Sequence, residues 1–540
     1  DPLSCKSCLP SRASPSLVVG MPNRLFSRFL LCSALTLSLH AAVSLPTENA
    51  AALPAAVDGP AKSAMEAFQA GRHGKAVDLA KPLAVQGNTQ ALYLLGFAYE
   101  SGQGVEASKE KALEYYGKAA SAKHKEAVYR LASMLLASDK PEERNHARQV
   151  LETAAKDDPE GAARMLGVAY LRGLLSATPD PEKAEFWWKR SAEAGDIQSL
   201  LLIAQLHEGQ FGFPELKDAK KSLANYAKAA GLGNAGAMAD LGSRLLSGDE
   251  KTRDEAKGRE WLKKAIAAKE YTAYLALGLY EENVKKDLKA ALSEYERGKD
   301  AGQMDCLLRT ADFYLEGKGV SKDADRGNSL LRKAAQAGNP VANLRVAAQY
   351  LATEKPTTAD LFAAYAHLLV AANGRLADAQ NALGRLFLSG KLGSSDYPAG
   401  IAWLNLADQG GSVDAQFLLG SLHESGNGPM PKNPTNAIAF YARAASQGHG
   451  PATLALARLA HEGIGTKADP VKAWALATLA VERGEKNADS LVKEIAGKLS
   501  ETERTDALAE LETLKVGKSA KKESPKPPAS QNAKAPKAAK

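Results

Sequence analysis

Residues 91–123 read ALYLLGFAYESGQGVEASKEKALEYYGKAASAK. The stretch has two amphipathic halves, joined by a glycine turn, and the second half ends on a pair of alanines. Nearly the same wording returns at 310–335 (TADFYLEGKGVSKDADRGNSLLRKAA) and at 419–445 (LGSLHESGNGPMPKNPTNAIAFYARAA). A catalytic centre is built once in a chain. A phrase written many times is architecture, and a period of 33 to 38 residues is that of a helical repeat.

Aligned on its glycine, the phrase gives a column at Gly96, Ala132, Gly167, Ala204, Gly242, Gly278, Ala311, Ala347, Gly384, Gly420 and Ala457. Every member is Gly or Ala. Five residues earlier stand Ala91, Ala127, Ala162, Ser199, Ala237, Ala273, Cys306, Ala342, Ala379, Ala415 and Ala452, again nothing larger than Cys. The residue before the glycine column is apolar throughout except at Thr310, and Tyr, Leu, Phe or His follows three after it in most copies, including Tyr99, His207 and His423. Spacings of −5, −1 and +3 share one helical face, so a first helix (A) packs through small residues that let backbones approach closely. The second helix (B) carries its own small pair, as at Ala119-Ala120, Ala229-Ala230 and Ala444-Ala445, with a closing glycine at Gly195, Gly233, Gly338, Gly410 and Gly448. Tyr115, Trp187, Trp261 and Phe440, one turn before that pair, are expected to fill the space between helices.

The pattern A-x-x-x-L-G-x-x-Y-x-x-G-x-G-V followed by K-A-x-x-Y/W-x-x-x-A-A-x-x-G resembles the Sel1-like repeat (SLR), a relative of the tetratricopeptide repeat (TPR). The resemblance implies an all-α fold, an α/α superhelical solenoid of about eleven 36-residue helix-turn-helix repeats, used for protein binding without catalysis intrinsic to the fold. It covers residues 61–490, with a partial copy in 64–88. Residues 281–291 and 352–363 lack the glycine loop, and 210–217 (QFGFPELK) has a distorted one. Residues 491–514 read as a helical C-terminal cap, with Ser500 and Glu503 in capping-box spacing.

The chain of 540 residues is 45% hydrophobic and 24% charged, an ordinary globular balance. Its formal charge of +7 is concentrated in 515–540, which holds eight Lys against Glu523 alone. That segment reads as a disordered Lys/Pro/Ala-rich tail. Without it and residues 1–44, the chain has 57 basic and 60 acidic residues, which argues against a nucleic-acid partner. Residues 21–44 (MPNRLFSRFLLCSALTLSLHAAVS) carry a basic start, a short apolar run and small residues at a cleavage position. They read as a secretion signal, with 1–20 upstream of the true start, 45–60 a linker, and the mature chain periplasmic or secreted. No later stretch is apolar for long enough to span a membrane.

Several tempting sites yield to the repeat. Gly102-Gln103-Gly104 and Gly317-Lys318-Gly319 follow a helix rather than a strand, and no GxxxxGK[ST] occurs, so they read as turns and not phosphate loops. His207-Glu208, His423-Glu424 and His461-Glu462 have no HExxH around them, and His207 and His423 hold a packing column. Cys306 fills a slot that is Ala or Ser elsewhere. Trp187, Trp188, Trp261 and Trp403 fall at or beside packing positions, leaving Trp188 and Trp474 as those whose exposure matters. Nothing in the sequence assembles a catalytic set, a metal site or a cofactor motif.

One residue after the small column, size and charge vary freely, as at Phe97, Gln205, Asp312, Arg385 and Arg458. Positions that escape the packing rule are expected to face solvent and, with the column three residues before the Gly/Ala position, to line a partner-binding groove. The function expected is that of an exported protein–protein interaction scaffold in a bacterial envelope assembly. Two alternatives stand beside it. One is a structural tether whose basic tail holds anionic envelope polymer or lipid headgroups; the other is an enzyme-associated regulatory subunit.

Overall fold

The computed structural model describes residues 59–249, 251–426 and 430–516. The signal read over 21–44, the residues before it, all but the end of the 45–60 linker, and the tail beyond Val516 lie outside the described residues. What is described is helical: 26 α-helices, one 3₁₀ turn and one π turn, with no strand among the described residues. The chain divides into two compact units, one ending at Gln303 and the other starting at Met304.

In the first unit a short pair, Lys62–Gln69 and His73–Val85, precedes six full A–B pairs that begin with Thr89–Ser101 and Lys109–Ser121. In the second, five pairs run from Met304–Glu316 to Pro470–Glu482, and Ala488–Ala496 and Glu501–Val516 pack on the last B helix. The final helix extends two residues into the segment read as tail, and Lys515 is held there by Glu482 at 2.8 Å. Ser500 and Glu503 bond reciprocally, each backbone N–H donating to the other's side chain.

Most helices of both kinds begin on a side-chain cap. Asn88, Asp196, Asn234, Asn339 and Ser412 each accept from the N–H of the small residue three positions on, and His124 and His449 do so through Nδ1. The B helices start mostly on Asp or Ser, such as Ser108, Asp254 and Asp469.

The closing turn of B uses one left-handed residue in every full pair but the second, where Asp158 at φ −131° alone separates the helices. Gly195, Gly233, Gly338 and Gly448 supply it; Gly410 does not, at φ −77°, because Gly411 takes the position at φ 82°. In three copies a non-glycine does the same: Lys123, Lys269 and Arg375, with φ between 60° and 66°. In the A–B loop Gly104, left-handed at φ 81°, is required for a second reason as well. A Cβ there would stand 2.5 Å from the backbone of His73, so the loop lies directly on the start of the preceding B helix.

The small column has its cause in the facing ring. A Cβ on Gly96, Gly278 or Gly420 would meet the ring of Tyr116, Tyr295 or Tyr441 at 2.2 to 2.7 Å, and one on Gly167 would meet Trp188. These rings are essentially fully buried. The expected fillers Tyr115, Trp187, Trp261 and Phe440 are only half-buried, and the buried residue in each case is the next one: Tyr116, Trp188, Leu262 and Tyr441. One residue turns a helix by about 100°, which moves the side chain from the small column to the rim. There Tyr115 stacks on Tyr99 and Phe440 on His423. Thr310, the polar member of an apolar column, is fully buried and satisfied, its hydroxyl donating to the Cys306 carbonyl at 2.8 Å. Cys306 itself is buried in the small column.

Candidate interaction face

The A helices of neighbouring pairs are tied by a recurring set of three side chains. Tyr116 Oη donates to Glu100 Oε2 at 2.6 Å, and Arg130 from the next A helix donates to both Glu100 oxygens at 3.3 Å. Tyr226, Glu208 and Arg244 repeat the arrangement, with Arg244 Nη2 on Glu208 Oε2 at 2.9 Å and its guanidinium over the Tyr226 ring at 4.2 Å. Tyr441, Glu424 and Arg458 repeat it in the second unit, Tyr441 Oη donating to Glu424 Oε2 at 2.9 Å and Arg458 Nη2 to Glu424 Oε1. Each carboxylate joins a buried ring of its own pair to a cation of the next. Burial and the adjacent carboxylate push the Tyr116 and Tyr441 hydroxyls well above their ordinary range, so both remain donors.

These pairings change the standing of some expected groove residues. Phe97 is not solvent-facing: it is 7% exposed, edge-on to Phe68 at 5.7 Å, with the Arg130 guanidinium over its other side. Phe68 of the short N-terminal pair covers it. Gln205 is half-buried, and its Oε1 has no hydrogen-bond partner among the described residues. Asp312 is half-buried and bonded to Arg345 of the next A helix; its burial raises the carboxyl above the usual range despite that cation. Arg458 is shared between Glu424 and Glu462. Arg385 alone of the five is exposed. Gln205 and Phe97 belong to the first unit, and the other three to the second.

The second unit also carries a cleft of about 730 Å³ at its C-terminal end. Phe417, Leu454, Ala455 and Leu491 supply its apolar surface, and Glu424, Glu462, Glu485 and Glu494 bring carboxylates to it, against Arg458 and His461. Phe417 and Leu454 stand three residues before Gly420 and Ala457, the second column assigned to the groove.

The tempting sites resolve into packing. His207 is buried, with Nδ1 2.9 Å from the Leu216 carbonyl and Nε2 3.2 Å from Glu185 Oε1. Trp188 and Trp403 are buried, while Trp474 is half-buried. No group of three or more His, Cys, Asp or Glu stands in position for a metal ion among the described residues. Sequence reasoning missed the Tyr–Glu–Arg sets. Glu100, Glu208, Glu282 and Glu424 do stand four residues after the small column, a signal open to inspection, but their partners come from two other helices.

The fold defines a helical-repeat protein whose paired helices pack through small residues. The Sel1 repeat profile matches residues 89–124, 161–196, 199–234, 235–269, 305–339, 377–411, 413–449 and 451–485, just over half of the chain. The chain belongs to the Sel1 repeat family. The three pairs outside those matches are built on Lys125–Leu136, Thr272–Tyr280 and Pro340–Leu351, and the loops after these helices lack the glycine pair. After Tyr280 the connection is a π turn, Glu281–Lys285, closed by Lys286 at φ 60°.

Alginate biosynthesis protein AlgK of Pseudomonas syringae pv. tomato is 26% identical over 400 residues, 71% of this chain and 80% of that protein. Chitin synthase regulator SKT5 of Saccharomyces cerevisiae is 27% identical over 265 residues, 44% of this chain and 37% of its own length. Chitin synthase regulatory factor 2 of Schizosaccharomyces pombe is 30% identical over 151 residues, 26% of this chain and 30% of its own. The chain thus spans about a third of each fungal regulator. Among solved structures, the Escherichia coli protective antigen c5321, which displays an SLR fold, is 22% identical over 84% of this chain and 99% of its own, with a TM-score of 0.45.

Proposed function

We propose that this chain is an exported scaffold that binds a protein or peptide partner on its A-helix faces, in the service of polysaccharide synthesis at a bacterial envelope. The observation that carries the reading is the contrast between adjacent columns. The small residues are buried in every pair, while the next position is at least partly open in nine of the eleven, among them Gln205, Asp312, Arg385 and Arg458, and buried only at Phe97 and Val168. A face that keeps its backbone spacing and varies its chemistry suits extended surface complementarity. The relatives named for alginate biosynthesis and chitin synthase regulation all concern polysaccharide-making systems, and the leader read at 21–44 supports export. No helix among the described residues is long and apolar enough to cross a membrane.

The test places a photo-crosslinking residue in vivo at Gln205 or Arg385, and as controls at Phe186 and Leu232, which are exposed on one B helix and at the end of another. Discrete protein adducts from the A-helix positions alone, weakened in Arg385→Glu at unchanged thermal stability, are expected. Equal adducts from both sets of positions, or none from the A helices, would remove the reading.

A further inference from the structure

The C-terminal cleft joins two features that packing does not explain. Its walls are apolar, yet four glutamates and a single arginine face it. Three of the four carboxylates already have partners: Glu424 with Tyr441 and Arg458, Glu462 with Arg458, and Glu494 with Lys498 at 2.8 Å and His461 at 3.3 Å. Glu485 has no ion pair among the described residues. The cleft therefore keeps a surplus of negative charge over an apolar floor of Phe417, Leu454 and Leu491.

A complementary segment begins next to it. Leu514 of the final helix packs in the same apolar cluster as Leu491, which also lines the cleft. Two residues later the described chain ends, and 24 residues follow with seven Lys and one Glu. Extended, such a segment reaches about 80 Å, far more than is needed to turn back onto a surface it adjoins.

We propose that the cleft is the docking site of the chain's own segment 517–540. Lysines suit this surface better than arginines would need to, since four-carbon stems lie along apolar walls while the ammonium groups reach carboxylates at the rim. Tethering raises the local concentration of the segment to the millimolar range, so contacts that are individually weak suffice. The segment would cover Arg458 and the last A-helix face, and a partner that uses this end must displace it. The inference is independent of the binding role proposed above.

The test is zero-length carbodiimide crosslinking of the full chain at low salt, on an equal mixture of ¹⁴N- and ¹⁵N-labelled protein, read by mass spectrometry. Crosslinks from Lys518, Lys521, Lys522 or Lys526 to Glu462, Glu485 or Glu494 within one chain are expected. They should be lost at about 0.5 M NaCl, where screening falls to a few ångströms. In Glu485→Gln/Glu494→Gln, links to the remaining Glu462 should fall about five- to tenfold, as two charges of the cleft go. A second variant leaves the helical core untouched: with Lys518, Lys521, Lys522 and Lys526 all changed to Gln, carboxyl footprinting of Glu485 should speed up by a similar factor. Links spread evenly over surface carboxylates, links only between differently labelled copies, or a Glu485 footprint indifferent to the tail lysines would each overturn the proposal.

Discussion

Trp188 occupies the volume in which Gly167 would carry a Cβ: that atom would stand 2.3 Å from the indole Nε1, which donates to the Arg164 carbonyl at 3.3 Å. The glycine and the ring are one packing decision made in two places in the chain. A methyl at Gly167 must displace a fully buried indole, while glycines that face nothing carry no such constraint.

Gly167→Ala should therefore destabilise the protein by about 1–3 kcal/mol, overpacking outweighing the gain in helix propensity. Gly117→Ala is the control. Gly117 lies mid-helix with open space where a Cβ would go, and its change should stabilise by about 0.5–1 kcal/mol. Urea denaturation of both variants separates the effects, and equal shifts would show that the close approach is not real.

The Tyr–Glu–Arg sets should behave as couplings between pairs. Glu208→Ala leaves Arg244 half-buried beside Asp240 alone and should cost about 2–4 kcal/mol, whereas Tyr226→Phe should cost about 1 kcal/mol. A double-mutant cycle between Glu208 and Arg244 should return a coupling above about 1 kcal/mol. A value near zero would make the set a surface ion pair.

Acid should loosen the fold at the histidine cap. Burial holds His124 below its ordinary value of 6.5, and Nδ1 accepts from the Ala127 N–H, which requires the unprotonated nitrogen. The unfolded chain thus takes up a proton more readily than the folded one. The associated stability is full above pH 6.5 and declines as pH falls below it, with His367 and His423, also lowered by burial, adding to the slope. His124→Asn, which copies the cap at Asn88, Asn234 and Asn339, should keep the helix start and flatten the fall in Tm between about pH 7 and 5. An unchanged slope would place the sensitivity elsewhere.

Grafting the commoner turn residue should stabilise. Lys269→Gly and Arg375→Gly relieve left-handed backbone positions where other copies carry Gly, each by up to about 1 kcal/mol, and Gly233→Lys should reverse the sign. Thermal melts of the three variants decide it.

Much of the fold was legible in the chain. The columns at Gly96 and Ala91, and their ten counterparts, marked helix A because the positions at −5, −1 and +3 lie on one face and stay small or apolar in nearly every copy. Helix B was legible as a helix but not in rotation: Tyr115-Tyr116 and Trp187-Trp188 are adjacent bulky pairs, and composition cannot say which member turns inward. Of the five residues expected to face solvent, Arg385 is exposed. Phe97, in the same column, is covered because the N-terminal pair supplies Phe68, a contact with no local signature.

The sequence by itself determined the repeat, its period, its small-residue seams and its glycine turns, because these obey short-range backbone sterics and one-face periodicity. Tertiary structure decided which aromatic fills each seam, which carboxylate bridges which helices, and where negative charge gathers beside the end of the last helix. Those outcomes depend on side chains about 15 to 35 residues apart meeting in space, and only the packed helices bring them together.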